Sequence, residues 1–390
     1  MNDTSTGSSV ADRLAAPSDW KMGWAPQLDG LRAIATMSIM VFHFLSSFGD
    51  LVGGLVIGVD VFFALSGFLI TTLLFAEMEK KQTISIRRFY IRRAVRLFPA
   101  LYTLLAVFLV FALAAGGKDR NHYLGEIVAV FFYVYNYFVA WFGVEGNALI
   151  QLWTLSIEQQ FYLLWPLLFL VVFRPREGQG VSQAKVKALI AAMIGFVVLW
   201  PVLRMTLPRE LGERNLSSTV FGLSIMRPDA VALGCLAAVV MRLWARRDDP
   251  TRERRISVAG NIALALMLGS VALAPIDAFQ PFVSPFANLA IMACAVFVFD
   301  LIRNPDKPVA KVLRSKPLVW IGERSYAMYM WHLLLFFIAK GFVEGALPGR
   351  TRLVELITLP IAFGLTFLVS MGSWRFIEQP AMKLKARFGA

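Results

Sequence analysis

The chain has 390 residues, of which 57% are hydrophobic and 17% are charged, and its mean hydropathy is +0.62. Soluble domains are about half apolar and about a quarter charged, so this composition excludes a soluble domain and indicates an all-α integral membrane protein. The net charge of +13 is typical of a membrane protein with basic cytoplasmic loops, and we expect no nucleic-acid partner.

Residues 1–25 are polar and rich in serine, which predicts a disordered cytoplasmic tail without a signal peptide. A transmembrane domain is predicted over 26–380, and a basic cytoplasmic tail over 381–390. Cys235 and Cys294 fall in apolar runs and are predicted to be buried as small apolar residues. The apolar runs predict ten spanning helices, at 31–48, 56–75, 97–115, 153–173, 188–206, 220–241, 257–274, 284–302, 318–339 and 354–374.

An eleventh apolar segment, 122–141, is predicted not to cross the membrane. With ten crossings, the loops on the side of both termini hold 28 of the 39 Lys and Arg residues. A crossing at 122–141 would move the arginines of 242–255 to the opposite side, against the positive-inside rule. The segment is therefore predicted to be re-entrant or interfacial, with both termini cytoplasmic. The opposite loops hold seven basic residues, namely Lys118, Arg120, Arg209, Arg214, Lys340, Arg350 and Arg352.

The first predicted helix carries two ionisable residues, Arg32 and His43. Their spacing corresponds to about 16 Å along a helix axis. Ionisable groups are costly inside a membrane, so each one marks a candidate functional site. Imidazole acts as a base or as a nucleophile, and His43 is predicted to be catalytic rather than structural. Arg32 is predicted to hold an anion, with snorkelling to lipid headgroups as the alternative.

Five arginines lie in the segment RRFYIRRAVRLFP: Arg87, Arg88, Arg92, Arg93 and Arg96. Arg88, Arg92 and Arg96 share one face of a helix, and Arg93 and Arg96 are neighbours one turn apart. Guanidinium groups bind phosphate through paired hydrogen bonds, so this strip suits the pyrophosphate and 3′-phosphate of coenzyme A. The alternative is a basic loop that contacts anionic lipid.

Two carboxylates, Asp60 in GVDVFFALSG and Glu158 in WTLSIEQQFY, are predicted in the same outer half of the membrane as His43. Three roles stay open for each: orienting an imidazole as the acid does in a serine-protease triad, binding an acceptor hydroxyl, or capping a helix. Further along the chain, Arg227 and Asp229 flank a proline and are predicted to pair within one helix, where the proline opens backbone groups.

The segment SYAMYMWH, 325–332, places aromatic residues beside a second candidate base, His332. Aromatic side chains stack on sugar faces, and the alternative is a belt at the membrane interface. No HExxH or paired CxxC motif occurs, so no metal site is predicted, and the lack of a GxSxG motif excludes a hydrolase elbow. The candidate substrate-binding residues are Trp153, Tyr326, Trp331, Arg227 and Asp229.

Five motifs follow one another in order along the chain. They are LDGLRAIATMSIMVFHF (28–44), GVDVFFALSGFLI (58–70), RRFYIRRAVRLFPALY (87–102), LWTLSIEQQFYLLWP (152–166) and SYAMYMWH (325–332). Together they resemble the acyltransferase-3 family of bacterial membrane O-acyltransferases, and the resemblance extends from about residue 26 to 380.

This resemblance implies a multi-pass protein of the bacterial inner membrane. Such a protein is expected to move an acyl group, acetyl in particular, from cytoplasmic acyl-CoA to a hydroxyl of a cell-envelope carbohydrate or glycolipid. The candidate catalytic residues are His43, Glu158, Asp60 and His332. The resemblance also implies that the donor is held by Arg32, Arg88, Arg92, Arg93 and Arg96.

A secondary transporter is the alternative interpretation. His43, Asp60, Glu158 and His332 would then form a proton relay across the membrane. Many transporters are built from two repeated halves, and the two halves of this sequence show no repeat. The absence of a repeat favours the acyltransferase over the transporter.

Overall fold

A computed structural model describes residues 23–114, 117–143, 149–174, 182–207, 222–223, 226–244, 249–276 and 285–385. These residues are 89% helical and include no strand. The protein is therefore an all-α integral membrane protein, as the composition predicts. The predicted N-terminal tail lies outside the described residues except for 23–25, and the predicted C-terminal tail begins as the last turns of a helix that ends at Lys385.

The helices follow one another in a single bundle. Short helical turns at Ser46–Phe48, Asp50–Gly53 and Gly54–Val56 join α1 to α2, a turn at Ile150–Leu152 precedes α6, and a π-helical turn at Trp374–Glu378 joins α14 to α15. The helices are α1 (Pro26–Phe44), α2 (Ile57–Lys81), α3 (Ile86–Ala114), α4 (Gly117–Phe131), α5 (Tyr135–Phe142), α6 (Trp153–Phe173), α7 (Gln183–Thr206), α8 (Pro228–Trp244), α9 (Pro250–Ala272), α10 (Pro285–Arg303), α11 (Pro308–Leu313), α12 (Lys316–Glu323), α13 (Ser325–Ala346), α14 (Thr351–Ser373) and α15 (Gln379–Lys385).

Eight helical stretches within the described residues are long and apolar enough to cross a membrane. They contain α2, α3, α6, α7, α9, α10, α13 and α14. The other two predicted spans correspond to α1 and α8, which have 19 and 17 residues. Large apolar side chains cover the outside of the bundle, as contact with lipid requires; Val110 is 70% exposed, Val198 60% and Leu368 63%.

The segment 122–141 forms a helical hairpin made of α4 and α5. The chain reverses at Tyr133, whose φ is +56°. Near the start of α4 the ring of Tyr123 lies 5.6 Å from that of Phe108, whereas at the tip the ring of Tyr133 lies 6.0 Å from that of Phe98. The hairpin therefore runs antiparallel to the second half of α3 and turns back about halfway along it. This geometry matches the re-entrant form of the prediction.

Glycine allows two central helices to touch. A Cβ atom on Gly67 of α2 would overlap the carbonyl oxygen of Val231 on α8, and one on Gly234 of α8 would overlap the carbonyl oxygen of Ala64 on α2. Small residues at such crossings let membrane helices approach to backbone contact. Because α2 carries several residues of the site, this crossing fixes the position of the site within the bundle.

The predicted span 318–339 is divided in the structure. It breaks at Arg324, where α12 ends and α13 begins. The Arg324 side chain folds back, donating to the carbonyl oxygen of Trp320 at 2.8 Å and stacking over the Trp320 ring at 4.0 Å. The spanning helix is therefore displaced toward the C-terminus. His332 lies in the first half of α13, which runs from Ser325 to Ala346.

Candidate active site

A pocket lies among α1, α2, α3, α6 and α13. Arg32, Arg93 and Arg96 bring three guanidinium groups to its wall, and Glu158 contributes a carboxylate. We call this space the arginine pocket. Apolar and hydroxyl side chains complete its lining, namely Val59, Phe62, Phe63, Ser66, Leu97, Thr154, Leu155, Tyr162, Ser325, Tyr326, Tyr329 and Met330.

The arginines divide into those that line the pocket and those that do not. Arg93 stacks over the ring of Tyr162 at 4.8 Å, which holds its guanidinium at the wall. Arg92 turns away to Glu77, with a nitrogen–oxygen distance of 3.1 Å, and Arg88 is exposed outside the pocket. Of the predicted face made of positions 88, 92 and 96, Arg96 lines the pocket and the other two do not. The residues that meet are the i, i+3 pair of α3 and Arg32 of α1.

Glu158 is held by a chain of hydroxyl groups. The Ser66 hydroxyl donates to Glu158 at 2.6 Å, and the Tyr162 hydroxyl donates to Ser66 at 3.0 Å. Two helices, α2 and α6, thus fix the carboxylate in the pocket wall, on the hydroxyl chain whose Tyr162 ring is stacked under Arg93. Among the described residues the hydrogen-bond partner of Glu158 is a hydroxyl group and not an imidazole, so Glu158 does not orient His43 in this structure.

The two histidines of the spanning helices form a hydrogen-bonded pair. His43 Nδ1 lies 2.9 Å from His332 Nε2, and the ring centroids are 5.1 Å apart. His332 is completely buried, and its Nδ1 lies 2.8 Å from the carbonyl oxygen of Tyr329. His43 is partly buried near the end of α1. The predicted carboxylate partner of His43 is thus replaced by the second imidazole.

Tyr329 stands between the arginine pocket and this histidine pair. Its ring lines the pocket and lies 5.5 Å from the ring of His332. Its hydroxyl donates to the carbonyl oxygen of Gln151 at 2.8 Å and bonds the Thr154 hydroxyl at 2.9 Å. One side chain therefore separates a cationic pocket from a pair of imidazoles.

Comparison with known proteins identifies the family. A model described as an acyltransferase domain matches residues 26–375, which is most of the chain. The chain belongs to this acyltransferase family. No solved structure matches it.

Two curated relatives of this acyltransferase illustrate the match. The peptidoglycan O-acetyltransferase OatA of Listeria monocytogenes is 32% identical over 372 residues, which cover 92% of this chain and 56% of the relative. The O-acetyltransferase OatA of Staphylococcus aureus is 31% identical over 378 residues, covering 92% of this chain and 57% of the relative. The chain thus spans little more than half the length of these relatives.

Three candidate site residues of the acyltransferase belong to buried ion pairs instead. Asp60 pairs with Arg227, and both side chains are almost fully buried. Asp229 does not pair with Arg227, which corrects that prediction; it binds Arg204 through two hydrogen bonds of 2.9 and 2.6 Å. Arg204 also donates to Asn288 at 3.0 Å. These pairs join α2, α7, α8 and α10, because buried guanidinium and carboxylate groups need partners.

The candidate aromatic residues also divide. Tyr326 lines the arginine pocket and donates from its hydroxyl to the carbonyl oxygen of Leu97 at 2.8 Å. Trp153 packs against Phe63 with ring centroids 5.9 Å apart, and Trp331 is 94% buried in the apolar core. Neither tryptophan lines the pocket, so only Tyr326 is available there.

A polar cluster follows His43 directly. The Glu355 carboxylate of α14 accepts from the Ser47 backbone N–H at 3.0 Å, from the Ser47 hydroxyl at 2.6 Å and from the Ser46 hydroxyl at 3.3 Å. Lys340 of α13 donates to the same carboxylate at 3.1 Å. This cluster fixes the turn that ends α1, and with it the end of the helix that carries His43.

Several residues of the site were not predicted from sequence. Tyr162 lies one turn after Glu158 on α6, and this i, i+4 spacing is a signal that could have revealed it. Ser66, Thr154 and Glu355 carry no such signal, because their partners come from distant parts of the chain. Among the residues that the structure describes, no group of three or more His, Cys, Asp or Glu side chains is placed to hold a metal ion.

Proposed function

We propose that this acyltransferase moves an acetyl group from acetyl-CoA to a hydroxyl group of a cell-envelope carbohydrate or glycolipid. The main support for this proposal is the position of the arginine pocket, because Tyr329 lines the pocket and also contacts the pair of His43 and His332. Transfer from a coenzyme A thioester requires a phosphate-binding site and a group that activates the hydroxyl.

The printed names of the relatives support the acetyl group and the acceptor class. The Listeria protein is a peptidoglycan O-acetyltransferase and the Staphylococcus protein is an O-acetyltransferase. Peptidoglycan is therefore the first acceptor to test for this chain. We assign the protein to the bacterial inner membrane, with the arginine pocket open to the cytoplasm, because the basic loops predict that side.

The donor is proposed to bind through its phosphates. Arg93 and Arg96 lie one turn apart on α3, and Arg32 lines the same pocket from α1, so all three are available to the phosphates of one ligand. A recess among five helices with three guanidinium groups in its wall suits a ligand that carries several phosphates better than a lipid headgroup at the surface. The Glu158 carboxylate would accept hydrogen bonds from amide groups of the pantetheine arm.

The chemistry requires a base or a carrier at His43. As a base, the imidazole takes the proton of the acceptor hydroxyl while that oxygen attacks the thioester carbonyl. The carbon–sulfur bond then breaks, and the coenzyme A thiolate leaves with the proton from the imidazolium. As a carrier, His43 itself attacks the thioester carbonyl, the carbon–sulfur bond breaks and the coenzyme A thiolate leaves. The acceptor hydroxyl then attacks the acetyl group on the ring nitrogen, the carbon–nitrogen bond breaks, and the hydroxyl proton passes to the thiolate. Both routes end with an ester and free coenzyme A.

Donor binding is tested by titrating purified protein with acetyl-CoA in a calorimeter. Arg93→Ala should weaken binding roughly 10- to 150-fold, which corresponds to about 1.5–3 kcal/mol for a lost charge-assisted hydrogen bond. Arg88→Ala is the matched control, because Arg88 lies on the same helix but outside the pocket. Equal affinity in both variants and the parent protein would remove the arginine pocket as the donor site.

A further inference from the structure

The hydrogen bonds of the histidine pair determine where its protons lie. A carbonyl oxygen only accepts hydrogen bonds, so the contact between His332 Nδ1 and the Tyr329 carbonyl at 2.8 Å requires a proton on His332 Nδ1. A neutral imidazole carries one N–H, and His332 Nε2 therefore presents a lone pair. That lone pair lies 2.9 Å from His43 Nδ1, which must be the donor. Neutral His43 then has its proton on Nδ1 and a free lone pair on Nε2.

We propose that His332 is a positioning residue that holds His43 in the Nδ1–H tautomer, so that His43 Nε2 is the atom that acts in acyl transfer. This inference rests on the proposed function for its catalytic meaning, whereas the tautomer itself follows from the two contacts. The opposite tautomer of His43 would set two lone pairs against each other at 2.9 Å. Because His332 is fully buried, no water is available beside its Nε2 to relieve that repulsion.

The roles of the two histidines cannot be exchanged. His332 is completely buried and both of its ring nitrogens have partners, one in Tyr329 and one in His43. It therefore has no lone pair to offer a substrate. His43 is only partly buried and uses Nδ1 for the pair, which leaves Nε2 for the reaction. This difference separates a positioning histidine from a catalytic one, where the sequence allowed either to be the base.

His332 also takes the role that the carboxylate has in a serine-protease triad, where it orients the catalytic histidine and stabilises its cationic form. When Nε2 accepts the hydroxyl proton, the imidazolium keeps its Nδ1–H bonded to His332 Nε2, and that lone pair stabilises the cation. The carboxylates that sequence suggested for this task are engaged elsewhere, Asp60 with Arg227 and Glu158 with Ser66. A neutral acceptor also avoids placing a further carboxylate in the membrane, where an ionised group is costly.

The tautomer is tested directly by nitrogen NMR of the full-length protein in proteoliposomes. The chain has three histidines, so protein labelled with ¹⁵N-histidine gives few ring signals, and His122→Gln removes the one outside the pair. We expect the His43 signals of a protonated Nδ1 and an unprotonated Nε2. A proton on His43 Nε2 would overturn the inference. The sample contains neither acetyl-CoA nor an acceptor carbohydrate, so this result does not depend on the proposed function.

Variants of His332 test the catalytic consequence. His332→Phe removes the nitrogen that accepts the hydrogen bond from His43 Nδ1. We expect kcat to fall on the order of 10²–10⁴-fold, which is the usual rate contribution of a well-placed general base. Affinity for acetyl-CoA should stay unchanged, because the arginines lie elsewhere. His332→Gln, whose amide oxygen can accept from His43 Nδ1–H, should recover part of the loss and keep the tautomer.

The control is His122→Gln, which should transfer acetyl groups at the parent rate because His122 lies on the hairpin, paired with Glu126. Full turnover by His332→Phe would exclude His332 from the mechanism. If no variant and not even the parent protein transfers acetyl groups, the proposed function fails while the NMR result still decides the tautomer.

Discussion

At the scale of single residues, the cost of burying polar groups explains the site. An imidazole inside a membrane needs partners for its nitrogens, and His332 finds them in Tyr329 and His43. Arg32 in the pocket wall pairs with Asp29 one turn earlier at 2.8 Å, whereas Arg92 is drawn away from the pocket to Glu77 at 3.1 Å. The result is a cationic pocket beside an imidazole pair, separated by one tyrosine ring.

His43→Gln should abolish acetyl transfer while acetyl-CoA still binds with the parent affinity. Glutamine keeps hydrogen bonding but has no basic or nucleophilic nitrogen, and loss of a general base costs roughly 10²–10⁴-fold in rate. The measurement is transfer in proteoliposomes with labelled acetyl-CoA inside and peptidoglycan fragments outside, alongside calorimetric titration. Substantial turnover by this variant would exclude His43 as the base. Labelled acetyl attached to His43 in the parent protein would favour the carrier route over direct transfer.

The sequence predicts those residues of the site whose signal is local. Arg32, His43 and Glu158 stand out because charge and imidazole are rare in apolar helices. Their partners do not stand out: Ser66 reaches Glu158 across 92 positions of sequence, and His332 reaches His43 across 289. The partner of Asp60 was missed for the same reason, since Arg227 lies far along the chain. A local pattern cannot show which distant charge neutralises a carboxylate.

At the scale of helices, hydropathy predicts segments but not their breaks. The ten apolar runs correspond to helices, and the hairpin at 122–141 was expected from the charge of the loops. The break at Arg324 was missed because apolar residues continue on both sides of it. The break depends on the side chain of Arg324 bonding the carbonyl oxygen of Trp320, which a hydropathy window does not register. Hydropathy also does not register the close approach of α2 and α8, which depends on the single glycines Gly67 and Gly234.

Gly234→Leu should lower the midpoint of thermal unfolding in detergent and reduce the amount of folded protein extracted from membranes. The added side chain has to displace the backbone of α2 at Ala64, and overpacking of a tight contact costs about 1–3 kcal/mol or more. Gly364→Leu on α14 is the matched control, because nothing lies within 4 Å of the position where its Cβ would be. An equal effect of both substitutions would show that the crossing of α2 and α8 does not stabilise the bundle.

At the scale of the whole molecule, apolar side chains and charged side chains occupy different surfaces of the helices. The outside of the bundle is apolar, while buried ion pairs such as Arg204 with Asp229 lie between helices, where each charge has a partner. Basic residues collect in loops that we expect on one side of the membrane. The arginine pocket would then open toward the cytoplasm, where acyl-CoA is made, and the re-entrant hairpin would enter from the opposite side.

The orientation of the hairpin can be measured by cysteine labelling in cells with an impermeant maleimide. Arg120→Cys and Phe142→Cys lie near the two ends of the hairpin and are exposed, so both should react from outside the inner membrane. Arg88→Cys, at the basic end of α3, should react only after the membrane is permeabilised. Background should be low, because Cys235 and Cys294 are each 1% exposed. Labelling of the two hairpin positions from opposite sides would mean that 122–141 crosses the membrane. The loops after it would then exchange sides, and the proposed cytoplasmic opening of the arginine pocket would no longer follow from the charge of the loops.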